Sequence, residues 1–420
     1  MNKFLIINPF GIGDALFTTP VIGAIKEKHP DSFIGYWCNE RVGALLKSVP
    51  DINKIFPLSR GDMKRVYRGL KGFAALISLI GQIRKERFDA ALDFSLDSRY
   101  GLWSKLAGIK RRIGFEYKKR GRFLTDKIKL SGYSGRHVVE YNLELLKFIE
   151  TYGSVPLSCC RSLEISEEDR IKAHSILKEY GVAATDLLIG MIPGGGASWG
   201  RDAVYKQWPA EKFAELADRL IKDLNGKVVL LGSVDEKPIA EIVIKALTCH
   251  CEEPKATKQS QRLRAKRSNL KEIASATSWP RNDDKRMTTR NDDKRMTTRN
   301  DDGRVINLTG KLNLKELAAV MSELKLLVCN DGGPLHMAVA LGVKTVSIFG
   351  PVDEVVYGPY PPDVKHVVVK KDLPCRPCYK DFRFAGCSNN RKCMEDITVN
   401  EVYDSVSMSL RGAIATKQSK

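Results

Sequence analysis

The sequence predicts an α/β protein built as two domains, and three observations carry that reading. Three glycine-rich clusters each stand between a short apolar run and a helical pattern, the strand–turn–helix order that parallel sheets repeat. A chain of 420 residues is long for one hydrophobic core and comfortable for two. A hydrophobic share of 43% is ordinary for a globular protein, and no run reaches the roughly 18 apolar residues of a membrane span. The longest, Phe73 to Ile83, is too short. The opening residues lack the layout of a secretory signal, so a cytoplasmic protein is expected.

The first cluster opens the chain. A strand at Phe4 to Ile7 leads into the turn Asn8-Pro9-Phe10-Gly11-Ile12-Gly13-Asp14. A helical pattern from Ala15 to Lys28 follows, interrupted or restarted at Thr19-Pro20. Gly11 and Gly13 supply half of a dinucleotide fingerprint, a weak signal by itself. Asp14 is more informative, because a carboxylate at the carboxyl edge of the first strand lies where open α/β sheets bind ligands. It serves there either as a helix cap or as a general base.

The second cluster, Ile192 to Gly200, follows the strand-like Leu187 to Ile192. It leads through Tyr205-Lys206-Gln207-Trp208-Pro209 into an amphipathic helix, Ala210 to Leu224. Gly194, Gly195 and Gly196 let backbone approach a ligand closely, and Ser198 and Lys206 can donate to phosphate oxygens. This is not a Walker loop, because no Ser or Thr follows the lysine. The alternative for Lys206 is a solvated surface lysine. Strand Lys227 to Leu231 ends on Gly232, with Glu236 beyond it placed to take ribose hydroxyls.

The third cluster, Asn330-Asp331-Gly332-Gly333-Pro334-Leu335-His336, lies between a buried run, Leu326 to Cys329, and a helix read at Met337 to Leu341. A second buried strand, Val343 to Phe349, comes next. A helix start behind two glycines and a proline leaves free N–H groups and partial positive charge aimed at one spot, which suits a phosphate. Asp331 and His336 add an acceptor and a donor for a ribose or sugar. Alone, the same residues also fit an ordinary β–α turn.

Charge is unevenly placed. The net formal charge is +19, and Arg60 to Arg136 holds 20 Lys and Arg against 7 Asp and Glu. No recognised nucleic-acid motif accompanies this excess, so nucleic acid is not the expected partner. The clusters Lys110-Arg111-Arg112 and Lys118-Lys119-Arg120 suit an anionic glycolipid at a membrane face, with a merely solvated basic face as the alternative. Among ten cysteines, Cys375, Cys378, Cys387 and Cys393 form a tight group whose first pair has Cys-x2-Cys spacing. A small zinc or iron–sulfur knuckle is one reading, although the second pair is irregularly spaced.

Residues 249 to 304 look foreign to the rest. Arg281 to Thr289 recurs unchanged at Arg290 to Thr298, and Ala256 to Ser260 reappears at Ala415 to Ser419. The stretch has no apolar periodicity to offset the entropy of ordering, so a disordered insertion is expected. The expected organisation is a first domain to residue 152, a linker at 153–165 and a second domain at 166–371. A cysteine-rich segment at 372–395, a helix at 396–412 and a disordered tail at 413–420 complete it.

Together the three clusters resemble glycosyltransferase family 9, the ADP-heptose:lipopolysaccharide heptosyltransferases. Leu308-Thr309-Gly310, Leu314 to Ala318 and Ile348-Phe349-Gly350-Pro351 extend the likeness along nearly the whole chain. The resemblance implies a GT-B fold, two Rossmann-like domains facing across a central cleft, the first for the acceptor and the second for the nucleotide sugar. It implies inverting transfer of a heptose from ADP-heptose to a lipopolysaccharide inner-core acceptor. Asp14 is then the base, beside Gly13 on the acceptor side. Ser198, Lys206, Asp331, Gly332, Gly333, Leu335 and His336 hold the donor and its diphosphate, and Gly232 and Glu236 hold the nucleoside. No metal is required, since no Asp-x-Asp stands where one is expected. A monomer working at the inner face of the cytoplasmic membrane is expected. One departure is Gly332, where family members usually carry a hydroxyl residue. Two other readings stay open: a catalytically silent GT-B glycan-binding protein and a dinucleotide-dependent oxidoreductase.

Overall fold

In the computed structural model, which describes residues 2–58, 70–149, 163–251 and 303–415, the apolar runs become the central strands of two parallel sheets. The first half contributes β1 (Lys3–Asn8), α1 (Ile12–Leu16), α2 (Thr19–Lys28), β2 (Phe33–Asn39), α3 (Glu40–Leu46) and β3 (Lys54–Leu58). It continues with α4 (Leu70–Glu86), β4 (Ala90–Asp93), α5 (Ser98–Leu106), β5 (Arg111–Glu116), β6 (Asp126–Lys129) and α6 (Val138–Glu144). The sheet order is β3-β2-β1-β4-β5-β6, with every pairing parallel. Phe4, Leu5, Ile6 and Ile7 are fully buried, as a strand covered by helices on both faces requires. The helical pattern after β1 breaks between α1 and α2. Pro20 lies in the first turn of α2, where its missing N–H is no loss.

The second half holds α7 (Glu167–Glu179), β7 (Leu188–Ile192), α8 (Ala210–Leu224), β8 (Lys227–Leu230), α9 (Lys237–Cys251), β9 (Val305–Asn307) and α10 (Leu314–Ser322). After these come β10 (Leu326–Asn330), α11 (Gly333–Ala340), β11 (Lys344–Phe349), α12 (Glu354–Tyr357) and β12 (His366–Lys370). Its order, β12-β11-β10-β7-β8-β9, repeats the first sheet's winding, again all parallel. Helix α8 buries Phe213, Ala214, Leu216, Ala217 and Leu220 and stops at Asn225 in the left-handed region, a residue tolerant of that cap. Helix α11 starts at Gly333, earlier than its apolar residues announce, because Gly332 and Pro334 form its entry.

A hairpin, β13 (Tyr379–Lys380) and β14 (Arg383–Phe384), precedes α13 (Lys392–Glu395) and α14 (Val399–Ala415). In GT-B proteins such a last helix is expected to pack back toward the first domain. Here α14 packs instead on α8 and on β10, β11 and β12. Its stripe of Val402, Val406 and Leu410 joins the second core, and Arg219 of α8 stacks over Tyr403 at 3.6 Å. The stripe covers the face of the second sheet that carries Leu326, Val328, Val346 and Ile348. The expected linker, apart from residues 163–165, and nearly all of the expected insertion lie outside the described residues, as does the tail from 416.

Contacts between the halves are made by α1 against α11 and by α3 against α10. The hairpin also touches both. Its tip, Asp381-Phe382, has two left-handed residues in succession, the geometry of a tight two-residue hairpin turn. Phe382 lies against Tyr117 and Tyr133 of the first half, at 5.1 and 5.0 Å between ring centres. Tyr379 and Phe384 lie against Trp199 of the second half, at 5.1 and 5.0 Å. Gly132 lets the tip approach, since a Cβ there would fall 2.1 Å from Asp381 Oδ1.

Candidate functional site

Strand order reverses between β1 and β4 in one sheet and between β7 and β10 in the other, and open α/β sheets bind ligands at such points. The three glycine clusters sit there. Asn330, the last residue of β10, ties two of them together. Its Nδ2 donates to the carbonyls of Pro193 and Gly194 at 2.8 and 3.1 Å, and its Oδ1 accepts from the Trp208 N–H at 3.0 Å. The sequence showed Asn330 only as the start of a motif. Its tie joins residues 137 positions apart.

Lys206 is no surface lysine. It is 5% exposed and pairs with Asp331 at 2.7 Å, with Trp199 beneath its ammonium at 4.9 Å. Removing one member of such a buried pair typically costs about 3–5 kcal/mol, because the other charge is left uncompensated. Next to Asp331, Gly332 is extended, and a Cβ there would meet only Pro334 Cδ at 3.8 Å. Backbone and space therefore both admit a hydroxyl side chain at this position. The backbone of Ser198 lies in the turn between Gly196 and Lys206, while its side chain lies outside the described ones.

Glu236 is committed to its own turn. Its carboxylate accepts from Ser233 N and Oγ at 2.8 and 3.0 Å and from the Gly196 N–H at 3.2 Å. A Cβ at Gly194 would fall 1.7 Å from Oε1, so glycine there admits the carboxylate. Glu236 thus pins the glycine loop beside Gly232, and only its remaining lone pairs face a ligand.

Two glycines bring the halves into contact. A Cβ at Gly13 would lie 2.8 Å from His336 Cδ2, and one at Gly333 would lie 3.0 Å from Ile12 Cβ. The N-terminal ends of α1 and α11 therefore face each other with Asp14 on the first and Leu335 and His336 on the second. His336 is buried edge-on to Phe17 at 4.4 Å, and burial, helped by the charges of His137 and Lys206, lowers its pKa to about 3. His137, which the sequence did not single out, lies on the other side of Phe17 and is stacked on Tyr360. Its Nδ1 accepts from the Val139 N–H, so the proton is on Nε2, donated to the Gly358 carbonyl at 3.1 Å. Burial brings its pKa down to about 4. Both imidazoles are neutral near pH 7.

Asp14 is exposed in the first turn of α1, and its backbone carbonyl accepts from Asn8 Nδ2 at 2.8 Å. Tyr133, Tyr357 and Tyr379 gather around it, a group with no periodic signature in the sequence. Burial first, with the Asp14 charge adding, raises all three phenols, Tyr379 to about 12. The Asp331 charge acts on Tyr357 and Tyr379 as well.

The basic clusters divide. Arg112 donates to the carbonyls of Phe123, Ile109 and Lys110, and Arg111 pairs with Asp126 and donates to the Phe148 carbonyl. These two guanidinium groups fasten the loops around β5 and β6. Lys110, Lys118, Lys119 and Arg120 stay exposed. Cys375, Cys378, Cys387 and Cys393 are free thiols lining one small pocket with Tyr205 and Phe384. Cys378 Sγ donates to the Cys375 carbonyl at 3.0 Å, and the Arg391 N–H donates to Cys387 Sγ at 3.3 Å. Among the described residues no three His, Cys, Asp or Glu side chains are arranged to hold a metal ion. The four thiols share this one cavity, close enough to act on one another's charge.

Two equally wound parallel sheets with ligand turns meeting edge to edge define a GT-B glycosyltransferase. The sequence model of glycosyltransferase family 9 (heptosyltransferase) matches residues 76–275 and 278–387, and the chain belongs to that family. It is 24% identical to lipopolysaccharide heptosyltransferase 2 of Escherichia coli K12 over 357 residues, 83% of each chain. The crystal structure of a family 9 glycosyltransferase from Veillonella parvula superposes with a TM-score of 0.71 at 21% identity, covering 98% of both chains. An E. coli heptosyltransferase carrying ADP-2-deoxy-2-fluoro heptose superposes with a TM-score of 0.61 at 15% identity, covering 97% of this chain and 99% of that one. The comparisons lend nothing to the oxidoreductase and silent-binder readings. No described helix is long and apolar enough to cross a membrane.

Proposed function

We propose that this enzyme transfers a heptose from ADP-heptose to an inner-core sugar of a lipopolysaccharide-type acceptor, with inversion and without a metal. The observation that carries the reading is the meeting of α1, which bears Asp14, with α11, which starts two residues after Asp331, at Gly13 and His336. The ligand named for the E. coli neighbour, an ADP-heptose analogue, supports the donor class.

Asp14 takes the proton of the acceptor hydroxyl as that oxygen attacks the anomeric carbon. One displacement inverts the centre, and no covalent intermediate is needed. Negative charge develops on the departing diphosphate, and fixed donors aimed at it lower the barrier most. Lys206 supplies a full charge from within the fold, oriented by Asp331. The Gly333 N–H at the start of α11 and the neutral His336 add hydrogen bonds, with Ser198 from the glycine loop. The spare lone pairs of Glu236, with the backbone at Gly232, meet the ribose.

Exposed Lys110, Lys118, Lys119 and Arg120 hold the monomeric enzyme against the anionic inner face of the membrane. The test is turnover of ADP-heptose with a heptose-deficient glycolipid acceptor, in EDTA, beside UDP- and GDP-sugars. Transfer from ADP-heptose alone, unchanged by EDTA, is expected. Equal use of the other nucleotides, or a metal requirement, ends the proposal.

A further inference from the structure

The carboxyl end of β11 lies beside that of β10, close to where α11 begins, and the chain beyond it is tightly tied. Arg376, just ahead of the hairpin, donates to the carbonyls of Gly350 and Val352 and pairs with Glu354 at 3.1 Å. The Tyr379 N–H donates to the Pro351 carbonyl at 3.0 Å, and the Tyr357 N–H to the Asp353 carbonyl at 3.0 Å. Two tyrosines, one from α12 and one from β13, are thereby fixed on one frame with ring centres 5.8 Å apart. Tyr379 lies 5.1 Å from Trp199, over whose ring the Lys206 ammonium sits at 4.9 Å. Tyr357 lies 6.3 Å from Tyr133 of the first half. An unbroken row of rings thus runs from the lysine proposed to hold the diphosphate to the half that carries Asp14.

Ring packing does not account for the hydroxyls. Phe382 and Phe384 pack in the same cluster without one. A buried tyrosine usually gives its hydroxyl a partner, and two others in this cluster do. Tyr141 Oη donates to the Ser134 carbonyl at 2.8 Å, and Tyr117 Oη to the Asp381 carbonyl at 3.4 Å. The hydroxyls of Tyr357 and Tyr379 make no hydrogen bond with any of the described residues, although both residues are half-buried. Burial first, with the charges of Asp14 and Asp331 adding, keeps both phenols protonated. Each therefore offers a donor and free lone pairs without carrying charge. Uncharged hydroxyls set on aromatic faces suit a neutral, polyhydroxylated ligand.

We propose that Tyr357 and Tyr379 bind the sugar being transferred, with its hydroxyls on their two phenol groups. The inference rests on the donor reading above, since a sugar joined to a diphosphate at Lys206 and attacked from Asp14 must lie within reach of both. Neither tyrosine moves a proton. They hold the sugar while Asp14 acts.

The test uses the full chain with Tyr357→Phe and Tyr379→Phe, which keep both rings and remove one hydroxyl each. ADP, which lacks the sugar, is the internal control. In calorimetry each variant should weaken ADP-heptose about two- to tenfold, the usual worth of one hydrogen bond, and leave ADP affinity and melting temperature unchanged. In turnover the donor KM should rise by a similar factor while the acceptor KM stays where it was. Unchanged donor affinity in either variant, an equal loss of ADP affinity, or a rise confined to the acceptor KM overturns the proposal. A lowered melting temperature overturns it as well, because the hydroxyls would then serve the fold. Failure of the wild type to bind ADP-heptose removes this inference and the donor reading together. Donor affinity that needs both hydroxyls, in a protein that transfers to no glycolipid, would keep the sugar contact and remove the transferase reading instead.

Discussion

Asp14 and Asp331, one on each side of the α1–α11 contact, live in opposite surroundings. Asp14 is exposed, on a helix of five residues, in the half that carries the basic excess. Asp331 is buried and neutralised at 2.7 Å by a lysine that is itself buried. The sheets behind them are wound identically, so the fold does not make this difference. Local partners do. An exposed carboxylate is open to the base role proposed for Asp14. One locked to a lysine has its charge already used, which suits the proposed role of aiming the ammonium.

Exchanging one side chain at a time should pull the two carboxylates apart most clearly at Asp14. Asp14→Asn is expected to cut kcat by about 10²–10⁴-fold, the usual worth of a general base, with ADP affinity and thermal stability retained. Calorimetry beside turnover measures both, and near-normal turnover would end the base assignment.

Lys206→Ala should do the reverse and damage the fold. Leaving Asp331 buried alone is expected to cost about 3–5 kcal/mol in urea unfolding and to weaken ADP binding. Adding Asp331→Ala should restore much of the stability and none of the ADP affinity. If the double variant regained ADP binding, the lysine would be only a structural partner.

The buried imidazoles give a smaller, pH-dependent effect. Their folded pKa values, about 4 for His137 and about 3 for His336, lie below the ordinary 6.5. The unfolded chain therefore binds more protons between those limits, and stability rises with pH. The melting temperature should hold steady above about pH 6.5 and fall progressively as the pH drops toward 4. Replacing His336 with Gln should flatten that slope. A flat wild-type profile would mean that the imidazoles reach solvent.

The smallest change expected is a gain. Gly332→Ser meets only Pro334 Cδ at 3.8 Å on extended backbone, so a hydroxyl fits beside the proposed diphosphate site. Donor KM should fall a few-fold, in line with about 0.5–1.5 kcal/mol for one hydrogen bond. An unchanged KM would show that the backbone N–H already meets that oxygen.

The turns were legible in the sequence because glycine and proline punctuate apolar runs, and such punctuation is local. β1, β7, β10 and β11 fall within a residue of where their apolar residues place them, and α8 falls where its stripe does. The Lys206–Asp331 pair joins residues 125 positions apart, and neither charge announces its partner. Arg111 and Arg112 read as a free basic patch because a charge run shows nothing of the carbonyls that its own loops will turn toward it. The hairpin escaped altogether. Strands of two residues have no periodicity, and its aromatic contacts depend on where both halves come to rest.

That hairpin makes the enzyme's opening asymmetric. It is continuous with β12 and α13, so it travels with the nucleotide-side half whenever the halves part. The hairpin's own join to the first half, at Phe382 against Tyr117 and Tyr133, must then break along with the α1–α11 and α3–α10 contacts, while its stack on Trp199 persists. If ADP leaves through such a parting, this aromatic clasp adds to the resistance it meets. Loosening that clasp with Phe382→Ala should quicken product escape in stopped-flow traces and leave the chemical step alone.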